Sequence, residues 1–220
     1  MITLPDFEKT FEYENNFYLS SDVSRMSKIL AHYELYKMVL ELPGAIVECG
    51  VFKGISLIRF ATFRQLLGTS FSKSIIGFDT FGQFPETEFG PDKEMRQYHL
   101  DTAGGESISR QQLGDVLKHK GIDCGVELIE GDITKTVPDY LKSHPELRIS
   151  LLNLDVDIYE PSVTVLEELY PRLVKGGVIL LDDYGFFPGE TRAVEDYFKN
   201  KNVSIRKLPF AMTPAFIFKE

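Results

Sequence analysis

The chain has 220 residues, of which 43% are hydrophobic and 26% are charged. A chain of this size and composition can bury a core without disulfides or structural metals, which excludes disorder as its main state and fits one domain. The formal charge of −9 at pH 7 excludes the broad basic face that phosphate backbones require, so we expect no nucleic acid partner.

The sequence also shows no sign of a membrane or an oxidising compartment. No stretch approaches the roughly 18 consecutive apolar residues of a membrane-spanning helix. The N-terminus is acidic and has neither the basic nor the apolar region of a signal peptide. Cys49 and Cys124 fit no metal-binding spacing, and we interpret them as reduced, partly buried thiols. These features predict a cytoplasmic protein with no membrane partner.

The first 44 residues are predicted to form an arm and one helix that pack on the core. Residues 1–20 are aromatic and acidic without regular spacing, which indicates an arm lying on its own domain or, in a homo-oligomer, on a partner subunit. The sequence Ser20-Ser21-Asp22 is typical of a helix N-cap. The helix is predicted to run to about residue 42, where Pro43-Gly44 ends it.

From residue 45 onward, short apolar runs alternate with segments of helical spacing. The predicted strands are residues 45–50, 74–79, 126–130, 149–154, 177–181, 203–207 and 214–218. The predicted helices are residues 54–67, 107–120, 137–141, 162–173 and 191–199. This alternation predicts an α/β fold with a mostly parallel sheet, helices on both faces, and an antiparallel hairpin of the last two strands at the edge.

Residues 80–106 are rich in glycine and proline and have few regularly spaced apolar positions. A loop of this length in a compact domain is usually functional or disordered. We predict that it forms a lid over the functional site. His99 lies within it and could reach that site.

Nearly every predicted strand delivers a carboxylate to the edge of the sheet where ligands bind in open α/β folds. The first strand leads into Glu-x-Gly-x-x-x-Gly, with Glu48, Gly50 and Gly54 in those positions. This turn allows close backbone approach to a ligand, but it is neither the dinucleotide fingerprint nor a phosphate-binding loop. Glu48 suits a cationic or hydroxyl-bearing ligand, and a plain strand-to-helix turn is the alternative.

Two further carboxylates suggest contacts to a nucleoside. Asp79 closes the second strand, where it can accept both hydroxyls of a ribose or instead cap a turn. Asp132 follows Gly131 and could meet the exocyclic amine of a base or cap the short helix after it.

Four aspartates lie at the tips of two strands that we expect to be neighbours: Asp155, Asp157, Asp182 and Asp183. Carboxylates gathered in one place repel each other unless a cation lies among them. Oxygen ligands alone favour Mg²⁺, with Mn²⁺ or Ca²⁺ as alternatives. Strand alternation predicts that Asp155 and Asp157 share one side. A solvated acidic rim is the alternative.

Six segments follow one another in a recognisable order: VECGVFKG (47–54), GFDTFGQFP (77–85), EGD (130–132), LDVDIYE (154–160), LYPRLVKGG (169–177) and LDDY (181–184). At these segments the chain resembles class I S-adenosyl-L-methionine-dependent methyltransferases, and more narrowly the macrocin O-methyltransferase (TylF-type) family. Members of that family methylate sugar hydroxyls of natural products. The resemblance implies a Rossmann-like class I methyltransferase domain over residues 45–220, with S-adenosyl-L-methionine and Mg²⁺ as cofactors.

The resemblance also implies roles for single residues. The cofactor-binding residues would be Glu48, Gly50, Gly54, Ser56, Asp79, Phe81, Asp132 and Asp155. Within this set, Asp79 would hold the ribose, Phe81 would lie by the adenine and Asp132 would contact the adenine amine. The metal ligands would be Asp155, Asp182 and Asp183. Asp157 would be the general base, with His99 of the lid as the alternative.

Two departures from the family pattern leave the acceptor open. The family commonly has Asp-Gly-Asp where this chain has Asp155-Val156-Asp157, and Trp-Arg-Gly-Gly where it has Phe52-Lys53-Gly54-Ile55. We expect a Mg²⁺-dependent O-methyltransferase whose acceptor is a small molecule with a sugar or vicinal-diol hydroxyl. A catechol-type O-methyltransferase and a non-catalytic S-adenosyl-L-methionine-binding protein are the alternatives.

Overall fold

The computed structural model describes residues 2–220, which contain one seven-stranded sheet. In chain order the strands are β1 (Ala45–Cys49), β2 (Ile75–Asp79), β3 (Val126–Glu130), β4 (Ile149–Leu154), β5 (Leu173–Leu181), β6 (Arg206–Lys207) and β7 (Ala215–Phe218). Across the sheet their order is β3-β2-β1-β4-β5-β7-β6. Strands β1 to β5 are parallel, whereas β7 pairs antiparallel with β5 and β6. The predicted mostly parallel seven-stranded sheet is confirmed.

Eight α-helices accompany the sheet within residues 2–220. They are α1 (Thr10–Ser20), α2 (Val23–Lys37), α3 (Ile55–Leu67), α4 (Asp92–Ala103), α5 (Arg110–His119), α6 (Ile133–Ser143), α7 (Tyr159–Glu168) and α8 (Pro188–Phe198). None of the helices in this part of the chain is long and apolar enough to cross a membrane.

The sheet has a hydrophobic core on each face. Every residue of β1, β2 and β4 is buried, as expected for parallel strands covered on both sides. Alternate residues face opposite ways, so Val47 and Leu152 pack towards α6, α7 and α8. Ile46 and Leu151 pack towards α2, α3 and α5. The polar ends of β1, β4 and β5 are therefore held between two helical layers.

The N-terminal segment differs from the irregular arm predicted for residues 1–20, because it contains α1. None of the residues of α1 is buried, so the helix has no apolar stripe from which its spacing could be recognised. The residues before it do lie on the domain: Gln112 Nε2 donates to the carbonyl of Ile2 (2.7 Å), and Phe7 stacks on His119. Asp22 caps α2 as predicted, although the helix ends before residue 42.

Residues 80–106 also differ from the predicted loop, since they contain α4. Asp92 is the only buried residue of α4, which explains why the segment shows so few apolar positions. The side chain of Asp92 anchors the segment, because it accepts hydrogen bonds from the amides of Tyr159 (2.9 Å) and Gly189 (2.6 Å) at the starts of α7 and α8.

A second anchor is Glu160, in the first turn of α7. Its carboxylate accepts hydrogen bonds from the amides of Glu88 (2.9 Å) and Phe89 (3.0 Å). The segment therefore lies against the carboxyl edge of the sheet. The two cysteines have different surroundings, since Cys49 is buried in the core and Cys124 is exposed.

Candidate active site

A cavity of about 830 Å³ opens at the carboxyl edge of the parallel strands. It is lined by most of the residues singled out in the sequence: Gly50, Ser56, Asp79, His99, Asp132, Asp155, Asp157, Asp182 and Asp183. Glu48, Gly54 and Phe81 are buried beneath its wall and do not line it. The strand ends thus bring together the predicted carboxylates, as the parallel topology requires.

The turn after β1 forms the floor of the cavity. Gly50 has a φ of +88°, and a Cβ there would lie 1.6 Å from the carbonyl oxygen of Asp155, so only glycine fits. Behind it, one carboxylate oxygen of Glu48 accepts a hydrogen bond from the hydroxyl of Ser56, and the other has no partner. Burial, assisted by repulsion from Asp182, raises the pKa of Glu48 to about 8.

The side chain of Asp79, at the end of β2, forms hydrogen bonds with three loops. Its Oδ2 accepts hydrogen bonds from the amides of Val51 (2.8 Å) and Phe52 (3.0 Å). Its Oδ1 accepts from the amide of Phe81 (2.6 Å) and the hydroxyl of Ser107 (2.9 Å). The structure thus shows the turn-forming role that the sequence left open, and a contact with a ribose stays a prediction.

Asp132 and Phe81 are the residues expected near an adenine. Asp132 caps α6, because its Oδ1 accepts from the amide of Thr134 (3.0 Å), and its Oδ2 pairs with Lys135 (2.8 Å). Its side chain still borders the cavity. Phe81 is only 5% exposed and packs in the core, so its contact with an adenine ring stays a prediction.

Asp155, Asp157 and Asp183 form the acidic cluster of the site, with one carboxylate oxygen of each within 4.8 Å of the others. Burial raises the pKa of all three carboxyl groups, and like-charge repulsion raises it further. For Asp157 the pKa reaches about 8, with Asp155 as the repelling neighbour. A divalent cation would relieve this repulsion, and a set of oxygen donors alone suits Mg²⁺.

The strand alternation invoked for Asp155 and Asp157 is wrong as an explanation, because β4 ends at Leu154. Asp157 instead lies in a turn with a φ of +64°. A left-handed conformation costs a residue with a side chain roughly 1–3 kcal/mol and is found mostly at functional sites. The turn, rather than a strand, places Asp157 in the acidic cluster.

Asp182 lies outside the acidic cluster, so the metal set of Asp155, Asp182 and Asp183 that the resemblance implies stays a prediction. Its Oδ2 lies 2.5 Å from Lys28 Nζ, and its Oδ1 lies 3.9 Å from His32 Nε2. Burial disfavours its charge, but Lys28 and His32 together outweigh burial and hold the pKa of Asp182 below its usual range. Asp157, which the sequence singled out as a base, lies in the cluster and is a further candidate ligand.

Three residues of the site were missed in the sequence: Lys28, His32 and Glu190. Lys28 and His32 are four residues apart and share one face of α2, which was a recognisable signal. Burial lowers the pKa of His32 to about 4. Glu190, in the first turn of α8, is buried; one of its oxygens accepts from the amide of Asp183 (2.9 Å), and the other has no partner.

His99, the alternative base, lines the cavity from α4. Its ring lies against the rings of Phe52 (centroids 5.3 Å apart) and Phe84 (5.0 Å). Burial and the charge of Lys53 lower its pKa, which favours the neutral imidazole.

The sheet order and the acidic carboxyl edge define a Rossmann-like fold of the class I methyltransferases. The calicheamicin methyltransferase CalS11 superposes with a TM-score of 0.78 and 32% identity, over 95% of this chain and 85% of that one. The O-methyltransferase NovP gives a TM-score of 0.76 at 20% identity, over 87% of this chain and 79% of that one, which supports the fold alone. The sequence profile described as Macrocin-O-methyltransferase (TylF) matches residues 24–209. The chain belongs to the TylF family, which confirms the resemblance.

Two proteins with similar sequences are named as O-methyltransferases. The 8-demethyl-8-(2,3-dimethoxy-alpha-L-rhamnosyl)-tetracenomycin-C 4'-O-methyltransferase of Streptomyces olivaceus is 30% identical over 160 residues, 71% of this chain and 58% of that protein. The mycinamicin III 3''-O-methyltransferase of Micromonospora griseorubida is 28% identical over 167 residues, 74% of this chain and 63% of that protein. The chain spans less than two thirds of either relative.

Proposed function

We propose that this protein transfers a methyl group from S-adenosyl-L-methionine to a sugar hydroxyl of a small molecule, with Mg²⁺ held by Asp155, Asp157 and Asp183. The observation that carries the proposal is the cluster of three carboxylates facing a cavity of about 830 Å³ at the carboxyl edge of a methyltransferase fold. Small-molecule sites have volumes of roughly 300–1,000 Å³, so this cavity has room for a cofactor and an acceptor.

The acceptor class follows from the relatives. The tetracenomycin enzyme is named for a rhamnosyl group, and a second structure of CalS11 is described as a TDP-rhamnose 3'-O-methyltransferase. Both names point to hydroxyl groups on sugars. A sugar hydroxyl of a natural product or of a nucleotide-linked precursor is therefore the acceptor that we propose.

The turn after β1 is proposed to hold the methionine part of the cofactor. Gly50 leaves backbone exposed on the cavity floor, Ser56 offers a hydroxyl, and the unpartnered oxygen of Glu48 lies behind them. Asp79 and Asp132 border the cavity where a ribose and an adenine would follow. The bound cofactor supplies an electrophilic methyl group. The contribution of these residues is to align that group with the acceptor and exclude water.

Asp155, Asp157 and Asp183 are proposed to hold the cation and orient the acceptor. A bound divalent cation lowers the pKa of a hydroxyl group that it contacts. Asp157 would take the proton of that hydroxyl, because it lies in the cluster that would hold the cation beside the acceptor. His99 is the alternative base, since its neutral ring also lines the cavity.

The test is calorimetric titration of S-adenosylhomocysteine and then Mg²⁺ into the purified protein, followed by methylation assays with sugars and catechols. We expect cofactor binding, saturable Mg²⁺ binding and transfer to a sugar hydroxyl that stops when EDTA removes the metal. Transfer to catechols alone would assign the other acceptor class. Cofactor binding without transfer to any acceptor would indicate a binding protein, and no cofactor binding would contradict the proposal.

A further inference from the structure

Four basic side chains line the cavity of this otherwise acidic protein: Arg25, Lys28, Lys53 and Arg59. Two of them are engaged by the protein itself. Lys28 pairs with Asp182, and Lys53 Nζ donates to the carbonyl oxygen of Ala103 (2.7 Å). The two arginines are not neutralised in this way.

Arg25 lies on α2 and Arg59 lies on α3, where the two helices cover the sheet above the acidic residues. Neither guanidinium has a carboxylate within 4.0 Å among residues 2–220, as the ion pairs of this part of the chain show. Arg25 is exposed and its side chain makes no hydrogen bond to the described residues. Most of the donor groups of both arginines are thus available to a ligand.

Arg59 is held in place by a single contact. Its Nη1 donates to Nδ1 of His32 at 3.1 Å. Because Nδ1 accepts this hydrogen bond, the ring proton lies on Nε2, which faces Oδ1 of Asp182. His32 therefore orients the guanidinium of Arg59 without neutralising it.

The two arginines are close enough for their charges to interact. Burial lowers the pKa of Arg59, the carboxylates of Glu48 and Asp182 counteract this, and the charge of Arg25 lowers it further. Two cations that face one cavity without a carboxylate in ion-pair contact repel each other, as carboxylates do in a metal site. An anion between them would remove this repulsion, and the planar guanidinium group is suited to paired hydrogen bonds with carboxylate or phosphate.

We propose that Arg25 and Arg59 form an anion subsite that binds a carboxylate or phosphate group of a ligand in this cavity. This inference rests on the proposed function, which supplies two sources of such a group. One is the carboxylate of the cofactor's amino acid, and the other is the phosphate of a nucleotide-linked sugar acceptor.

Matched probes that differ in the anionic group test the subsite by calorimetry. S-adenosylhomocysteine is compared with 5′-methylthioadenosine, which lacks the amino acid. Thymidine diphosphate is compared with thymidine, both in the presence of 5′-methylthioadenosine. The variants are Arg25→Gln and Arg59→Gln, and Arg206→Gln on exposed β6 is the control for loss of one positive charge.

We expect each cavity variant to lower the affinity for the anionic probe of one pair by about tenfold. The affinity for the probe of that pair that lacks the anionic group is expected to fall by less than about twofold. A selective loss of affinity for S-adenosylhomocysteine assigns the subsite to the cofactor. A selective loss of affinity for thymidine diphosphate assigns it to the acceptor. Arg25→Gln changes an exposed residue, so it keeps the test valid if Arg59→Gln fails to fold.

The proposal would be overturned if, in both pairs, a cavity variant lost equal affinity for the two probes. It would also be overturned if the cavity variants lost no more affinity than Arg206→Gln. Failure of the proposed function gives a different result, because the wild-type protein would then bind neither S-adenosylhomocysteine nor 5′-methylthioadenosine.

Discussion

Lys28 Nζ lies 2.5 Å from Asp182 Oδ2, and this ion pair joins α2 to the end of β5. Asp182 and Asp183 follow Leu181, the last residue of β5, and their carboxylates have different neighbours. Asp182 faces α2, where Lys28 lowers its pKa, whereas Asp183 belongs to the acidic cluster, where burial and repulsion raise its pKa. Two adjacent aspartates thus have different partners and, we expect, different roles.

The first prediction separates these two aspartates by their effect on metal binding. Asp183→Asn removes a charge from the acidic cluster, and we expect it to weaken Mg²⁺ binding by more than about 100-fold. Asp182→Asn changes a residue outside the cluster and is expected to weaken it by less than about tenfold. Calorimetric titration of Mg²⁺ into both variants measures the difference. The reverse order would favour the metal set of Asp155, Asp182 and Asp183 that the resemblance implies.

The second prediction concerns Asp157 as a base. Asp157→Asn removes the proton acceptor but keeps the size of the side chain, so turnover is expected to fall by about 10²–10⁴-fold. The affinity for S-adenosylhomocysteine is expected to stay within about twofold. Asp139→Asn, an exposed change on α6, is the control. If saturating Mg²⁺ restored turnover to Asp157→Asn, Asp157 would act only by holding the cation and would not be the base.

The third prediction concerns stability. Lys28→Met leaves the buried carboxylate of Asp182 without its cation, and loss of one partner of a buried pair costs about 3 kcal/mol of the free energy of unfolding. Lys37→Met is the matched control on the same helix, because its pair with Glu34 is exposed. We expect that control to change the free energy by less than about 0.5 kcal/mol in urea unfolding. If both variants lost a similar free energy of unfolding, the contact between Lys28 and Asp182 would not stabilise the protein in solution.

The fourth prediction is a pH dependence of the metal-free protein. The folded state raises the pKa of Glu48 and Asp157 from 4.5 and 3.8 to about 8. Between these values the folded protein binds more protons than the unfolded chain, so stability falls as the pH rises towards 8. Thermal unfolding in EDTA between pH 5 and pH 9 measures the decline.

Asp157→Asn removes one of the two titrating groups and is expected to flatten that decline. Added Mg²⁺ favours the ionised carboxylates, so its stabilising effect is expected to grow with pH over the same range. A metal-free protein whose stability rose across this range would contradict both raised pKa values.

The fifth prediction concerns the anchor of residues 80–106. Asp92→Ala removes the acceptor for the amides of Tyr159 and Gly189, and unpaired buried amides cost about 1–3 kcal/mol each. We expect faster hydrogen exchange in residues 80–106 and in the first turns of α7 and α8. Asp101→Ala, an exposed change on the same helix, is the control. Unchanged exchange in Asp92→Ala would mean that other contacts hold the segment.

The strands of the parallel sheet could be predicted because they are short, continuously apolar and end in polar turns. The helices α1 and α4 could not be predicted, and the reason is the same for both. Neither helix buries an apolar stripe: α1 has no buried residue, and the only one in α4 is Asp92. Hydrophobic periodicity detects helices through the surface they bury, so it gives no signal for these two.

The sequence was enough to predict which strand ends meet at the site. It was not enough to predict which carboxylates lie close enough to share a ligand. That choice depends on contacts from distant elements. Lys28 on α2 engages Asp182, and the turn with positive φ at Asp157 brings this residue into the acidic cluster. No local pattern at Asp182 or Asp183 distinguishes the two, because the difference comes from residues more than 150 positions away along the chain.

Gly50 joins the turn after β1 to the turn after β4. The Asp155 carbonyl occupies the space that a side chain at position 50 would need, and the Asp155 amide donates to the carbonyl of Cys49 (3.0 Å). Two turns that touch backbone to backbone cannot shift independently. If one turn seats the cofactor and the other carries a ligand of the cation, each ligand changes the affinity for the other by the same factor. The lack of a side chain at position 50 would then couple the binding of the cofactor to the binding of the cation.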